Sequence, residues 1–313
     1  MKTSEGFKEN VVEKKVYETY LSIVEPFKPI RSVRGIVNRL REDFKLIVSE
    51  KLVALVVSAF LIGRPVLFEG PPGTGKTEVG YGILTLWAGK KAFILPCSEN
   101  YDEYRVIGDF HPLMAMKMGF TEESFVPRPL LAALVLDSGV LVDEIRRSSE
   151  EFQNMLLDIV DKRRIVIPEL KRVFKAKGEG FQVIFTSNPE DIAQGELSDA
   201  FLRRVVRIKF TYPPEEVEKE IVKLRLGEDY RLVSEDNIAK VLAVINELRS
   251  KALHKPGPAD TVAWTQMAAG LAKLRGKRKA DIRDFYDAAF SVLLKRSEDE
   301  DVVSMVVEKY FKR

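Results

Sequence analysis

The chain reads as an α/β protein, a five-stranded parallel sheet with an all-helical domain after it. Three features carry that reading. Short apolar runs alternate with helical stretches from about residue 33 to residue 212; every strand signal stops at Tyr212-Pro213-Pro214; and a glycine-rich loop joins the first apolar run to a helix. Parallel neighbours need a crossover, usually a helix, so buried strands separated by helices are the pattern of βαβ units.

The elements follow in order. Residues 1–30 are charged and helical in pattern and end at the breakers Pro26 and Pro29, which sets off an N-terminal helical extension over 1–32. Strands are expected at 66–69, 92–96, 140–143, 181–188 and 205–210, with helices between or before them at 49–61, 76–88, 129–136 and 148–161. These make up an α/β domain over 33–212. Amphipathic helices near 214–226, 234–253, 259–274, 281–296 and 300–312 form a helical domain over 213–313.

Composition narrows the function classes. The 313 residues leave room for about two domains, and 45% hydrophobic with 31% charged residues excludes a disordered chain. A single cysteine, Cys97, excludes a disulfide framework, and with only His111 and His254 beside it no structural zinc site can be assembled. No base lies near Cys97 in sequence, so it reads as a core residue rather than a nucleophile; the two histidines receive no catalytic role. The longest apolar run, 52–63, is well short of the ~20 residues of a membrane helix, and the first twenty residues lack a signal-peptide core. The expectation is a soluble, cytoplasmic protein with no membrane partner. A net charge of +3 is too small for a general nucleic-acid field, although local basic clusters exist.

The strongest motif is Gly70-Pro71-Pro72-Gly73-Thr74-Gly75-Lys76-Thr77, a full G-x-x-x-x-G-K-[ST] pattern between an apolar strand and a helix. Glycines let the backbone curl so that successive N–H groups point into one anion site, and the helix adds its positive end. Lys76 places a point charge on the β- and γ-phosphates of a nucleoside triphosphate, and the Thr77 hydroxyl ligates Mg²⁺. Glu78, next in the chain, belongs to the same binding stretch. A second strand, Val140-Leu141-Val142, ends in Asp143 and Glu144. Ligands of open parallel sheets sit outside the carboxyl ends of strands, so Asp143 can reach the Mg²⁺ and Glu144 can orient or deprotonate the attacking water. A third strand ends at Asn188, which can hydrogen-bond the γ-phosphate and that water; a turn asparagine before Pro189 is the plainer reading. Adjacent Arg203 and Arg204 stand at the mouth of the last strand. They suit a neighbouring subunit's γ-phosphate, or else form a solvated basic helix end.

Taken together, EGPPGTGKT (69–77), VLVDEIRRSSEEFQNMLLDIVDKRRI (140–165), FTSNP (185–189) and LSDAFLRRV (197–205) resemble the AAA+ ATPases, and within them the MoxR group with its CoxD-like members. The resemblance covers 33–212 well and the helical remainder loosely. It implies Walker A at 70–77, Walker B at Asp143 and Glu144, sensor 1 at Asn188 and an arginine finger at Arg204, with Arg203 in the family's Asp position. It further implies a homo-oligomeric ring, commonly a hexamer, with ATP between subunits, and a lid over 213–313. Two insertions are implied as well. One, at 106–125, carries Met114, Met116 and Met118 alternating along one face beside Phe110 and Phe120; partner contact is one reading and core packing the commoner one. The other is a hairpin at 163–180 bearing, with the residue before it, Lys162, Arg163, Arg164, Lys171, Arg172, Lys175 and Lys177. The chain departs from relatives at the lid: Asp260 stands near the expected sensor 2 arginine, with Lys255 and Arg275 as compensating candidates.

The leading functional expectation is a Mg²⁺-dependent ATPase that remodels or matures a protein complex. The resemblance adds a von Willebrand factor A-domain partner and a role in metal or cofactor insertion. The alternative is a nucleic-acid motor or loader using the basic hairpin and the 275–279 cluster. A nucleotide-bound scaffold without turnover is a third reading.

Overall fold

Residues 10–99, 101–189 and 195–312 are described by the computed structural model, and the chain divides into two units. The first comprises residues 1–40, 48–69 and 77–209; the second comprises 41–47, 70–76 and 210–313.

In chain order the first unit draws on α1 (Val11–Val24), α2 (Val33–Phe44), α3 (Glu50–Leu61), β1 (Val66–Glu69), α4 (Lys76–Ala88), β2 (Phe93–Pro96), α5 (Glu103–Val106), β3 (Gly108–Phe110), α6 (Pro112–Met118), β4 (Phe125–Pro127), α7 (Pro129–Leu136), β5 (Val140–Asp143), α8 (Glu150–Lys162), β6 (Arg164–Ile167), β7 (Arg172–Lys175), β8 (Val183–Ser187), α9 (Asp199–Leu202) and β9 (Val206–Lys209). All five expected strands form one sheet in the order β2-β5-β8-β1-β9, and every pairing is parallel. β1 and β8 are buried throughout, as strands covered on both faces should be, whereas β2 at the edge alternates buried and exposed and closes on Pro96. The apolar helix α7 is buried from Leu130 to Leu136 and shares a core with Val12, Val16 and Val24 of α1. Serine caps set the helix starts: the hydroxyls of Ser49, Ser149 and Ser198 accept from the amides of Leu52, Phe152 and Phe201.

Register aligns the chemistry. Glu69 lies opposite Ser187, and Val142 opposite Phe185, so Glu69, Asp143 and Ser187 end their strands at one edge of the sheet. At the other edge Val206 pairs with Val66, the first residue of β1. Two antiparallel pairs stand apart from the main sheet. β3 and β4 enclose α6, and β6 and β7 form the expected hairpin.

One expectation is corrected here. The methionines, expected along one face with core packing the commoner reading, lie on α6, which starts at Pro112, a residue pre-set for a first helical turn. They do not pack into a core. Leu113, Met116 and Phe120 are 67%, 85% and 68% exposed. Cys97 is buried, and that burial pushes its thiol up to about 12, in keeping with a core residue.

The second unit holds α10 (Glu215–Leu226), α11 (Glu235–Lys251), α12 (Pro258–Leu274), α13 (Ile282–Leu293) and α14 (Glu300–Phe311). Its core centres on Trp264, Phe285 and Phe311, with ring centroids 5.4–6.2 Å apart, and the Trp264 indole donates to the Phe285 carbonyl at 2.8 Å. Trp264→Ala should therefore cost the unit about 3–5 kcal/mol, read as an earlier urea midpoint; a loss below about 1 kcal/mol would contradict this packing. Among the described residues no helix is long and apolar enough to cross a membrane.

Candidate nucleotide site

The loop 70–76 leaves the carboxyl end of β1 and enters α4. Gly73 and Gly75 have φ of +70° and +84°, values open to glycine at no steric cost. The loop is tied to itself. The Thr74 hydroxyl donates to the Pro71 carbonyl at 2.8 Å, and the Lys76 ammonium donates to the carbonyls of Gly70 (2.8 Å) and Pro71 (2.6 Å). Lys76 is thus buried within the curl of its own loop, where a phosphate would compete with carbonyl oxygens for its charge. Glu78 lies exposed in the first turn of α4.

In the first unit, one carboxylate gathers two hydroxyls. Asp143 Oδ1 accepts from Thr77 Oγ1 at 2.7 Å and from Thr186 Oγ1 at 2.5 Å, while Thr186 Oγ1 accepts from the Glu144 amide at 2.9 Å. Glu144 has φ +54° and ψ +52°, a left-handed conformation that a non-glycine residue adopts at a cost. Its carboxylate forms an ion pair with Arg147. Asn188 follows β8 directly and is half-buried. Arg203 and Arg204 sit elsewhere. They precede Val206, so the length of β1, about 10 Å at ~3.3 Å per residue, separates them from the edge that carries Asp143. Both are exposed, and Arg204 Nε lies 3.8 Å from Asp161.

Residues 65–205 match the family model described as AAA domain (dynein-related subfamily). Over this segment the chain is similar to AAA domains. Among curated proteins, the chain is similar to the gas vesicle ATPase GvpN of Ancylobacter aquaticus, 25% identical over 229 residues that make up 68% of this chain and 62% of GvpN. It is also similar to protein YehL of Escherichia coli K12, 26% identical over 162 residues, 51% of this chain and 45% of YehL. The chain therefore spans less than two thirds of either relative. Among solved structures, the RuvB Holliday junction branch migration motor of Thermotoga maritima aligns with a TM-score of 0.49 at 15% identity, covering 83% of this chain and 75% of RuvB.

Beside these motif residues stand groups that no motif announced. Glu69, 3% exposed, pairs with Arg207 at 2.7 Å and lies 3.7 Å from Arg146. Arg146 Nε also donates to Ser187 Oγ at 2.7 Å, so a single guanidinium joins the ends of β1 and β8. The only sequence sign of these was two arginines just past Asp143-Glu144-Ile145 and a threonine inside an apolar strand.

Proposed function

We propose that the chain is a cytoplasmic, Mg²⁺-dependent ATPase of the MoxR type that works as a hexameric ring and remodels or matures a protein complex. The observation that carries the ATPase reading is the Thr77–Asp143–Thr186 cluster at the strand edge from which the phosphate loop departs. A hydroxyl and a carboxylate at 2.7 Å form a hard oxygen pair, which fits Mg²⁺: this ion takes one or two protein ligands and fills its shell with phosphates and water. Thr77 and Asp143 would hold it, and when bound it neutralises charge on the β- and γ-phosphates. The chain's own groups do the rest. The amides of Gly70 to Gly75 and the Lys76 ammonium grip the phosphates, Glu144 orients and deprotonates water, and Asn188 fixes that water against the γ-phosphate.

Arg204 lies at the opposite edge of the sheet and is exposed, which supports a role at a neighbour's site rather than its own. Arg203 shares that surface. Mixing Arg204→Ala subunits with Glu144→Gln subunits should then restore part of the turnover that each lacks alone, through interfaces that join an intact Arg204 to an intact Glu144. A strictly monomeric protein with full activity would contradict the ring.

The client is a protein, and the MoxR resemblance suggests a von Willebrand factor A-domain protein as partner. The exposed Leu113, Met116 and Phe120 support a protein contact on the first insertion. The nucleic-acid alternative loses ground on the hairpin. Arg163 donates to the carbonyls of Phe181 and Gly178, and Lys162, Arg172 and Lys177 pair with Asp158, Glu122 and Glu13. Arg275 and Lys277 likewise pair with Asp284. Single-stranded DNA should leave the ATPase rate unchanged; stimulation that vanishes at high salt would reverse the ranking.

A further inference from the structure

Asp260 stands near the arginine that the AAA+ resemblance implies, and within the second unit it serves a different end. Its Oδ2 accepts from the Gly257 amide at 2.9 Å, closing a cap on the start of α12. An acid in that place cannot supply positive charge to a phosphate. Arg275 does not compensate. It sits at the far end of α12, roughly 22 Å away at ~1.5 Å per residue, and is engaged by Asp284 and Asp287.

What this unit brings to the loop is main chain. Gly257 is packed so closely on it that a Cβ would lie 2.8 Å from the Pro72 carbonyl oxygen and 2.9 Å from the Gly73 carbonyl carbon. The Ala259 amide donates to the Gly73 carbonyl at 3.2 Å. The turn 255–260 therefore braces the middle of the phosphate loop, and its own position is set by one guanidinium. Arg249 donates through Nε to the Pro256 carbonyl at 2.9 Å and through Nη1 and Nη2 to both oxygens of Glu218 at 2.9 and 2.8 Å. It also stacks on Tyr212, 4.4 Å from the ring centroid, and the Tyr212 hydroxyl donates to the Lys255 carbonyl at 3.3 Å. Glu218, 1% exposed, accepts in turn from Thr261 in the first turn of α12 at 2.5 Å. Three helices, α10, α11 and α12, are locked together at the point where α12 meets the loop.

We infer that Arg249 is a positioning residue: by holding Glu218 and the Pro256 carbonyl at once, it keeps the Gly257 turn against Pro72-Gly73 and so sets how tightly the loop binds nucleotide. This rests on the reading of the loop as a triphosphate site. A planar fork can serve a carboxylate and a carbonyl together; a lysine is a point charge and must choose. The buried carboxylate then retains the lysine, and Pro256 is released.

The test uses the 313-residue chain carrying Arg249→Lys and, separately, Gly257→Ala. Gly257 has φ −90° and ψ 176°, a conformation alanine adopts freely, and the atoms nearest its added methyl are loop backbone, Pro72 and Gly73. Equilibrium titration with a fluorescent ADP analogue, the ATP dependence of phosphate release and thermal unfolding are measured side by side. Both variants should bind the analogue about tenfold more weakly and raise KM by a similar factor while kcat changes less than about threefold, the size of one lost hydrogen bond near charge. Gly257→Ala should do so with its Tm unchanged. Unaltered nucleotide affinity in both variants, whatever happens to Tm, would overturn the inference while leaving the loop reading intact. A wild-type chain that does not bind the analogue would overturn both.

Discussion

Glu144→Gln should bind ATP as the wild type does and release phosphate about 10²–10⁴ times more slowly, the usual worth of a positioned general base. The substitution keeps the shape of the side chain and removes only its ability to accept a proton. It leaves the Asp143 cluster untouched, because Thr186 receives the Glu144 main-chain amide and not its carboxylate. It does remove the ion pair with Arg147, but that pair is half-exposed and should contribute no more than ~1 kcal/mol to stability. Loss of turnover therefore cannot be charged to unfolding. The left-handed backbone at Glu144 points the same way, since such strain persists where surrounding structure holds a residue for a purpose. Phosphate release measured beside nucleotide binding checks it. Turnover within about threefold of wild type would move the base elsewhere. The same variant, held in ATP, should also retain its protein client long enough for capture and identification.

Lys76→Ala should reduce nucleotide affinity by at least about 100-fold. The ammonium is the one full positive charge within the loop's curl, and hydrogen bonds to charged groups are worth ~1.5–3 kcal/mol each, so losing two of them at the phosphates reaches that factor. The fold should survive, because Lys76 belongs to neither apolar core and its ammonium bonds carbonyls of its own loop. Fluorescent nucleotide titration with far-UV circular dichroism as control reads both halves of the prediction. A native spectrum with wild-type affinity would remove Lys76 from the site.

The strands were legible because each is a short apolar run bounded by breakers or by the residues that carry chemistry. Val140–Asp143 and Val66–Glu69 appear as expected, and α7 needed only its continuous apolar sequence after Pro129. Strand order was not legible. Nothing in the residues of β9 says that Val206 pairs with Val66, yet that pairing is what carries Arg203 and Arg204 away from their own acid pair. Within the candidate site, groups consecutive in sequence were visible, and groups assembled across it were not. Thr186 meets Asp143 from another strand, Arg146 joins Glu69 to Ser187, and Arg249 meets Glu218 from a separate helix. Such partners are chosen by packing, and their residue types alone are ordinary. The methionine stretch failed for a different reason. Core packing was the commoner expectation, but Pro112 starts a helix there, and the enclosing β3–β4 pair leaves its apolar side chains outside the core. Asp260 was recognisable as a departure, while its use as a cap became visible only through the Gly257 amide.

The most direct test is steady-state phosphate release from ATP by the purified 313-residue chain, with Mg²⁺ and then with excess chelator. Turnover that requires Mg²⁺ and stands well above the Lys76→Ala protein is the predicted result. Release no faster than that variant, or equally fast after chelation, would contradict it.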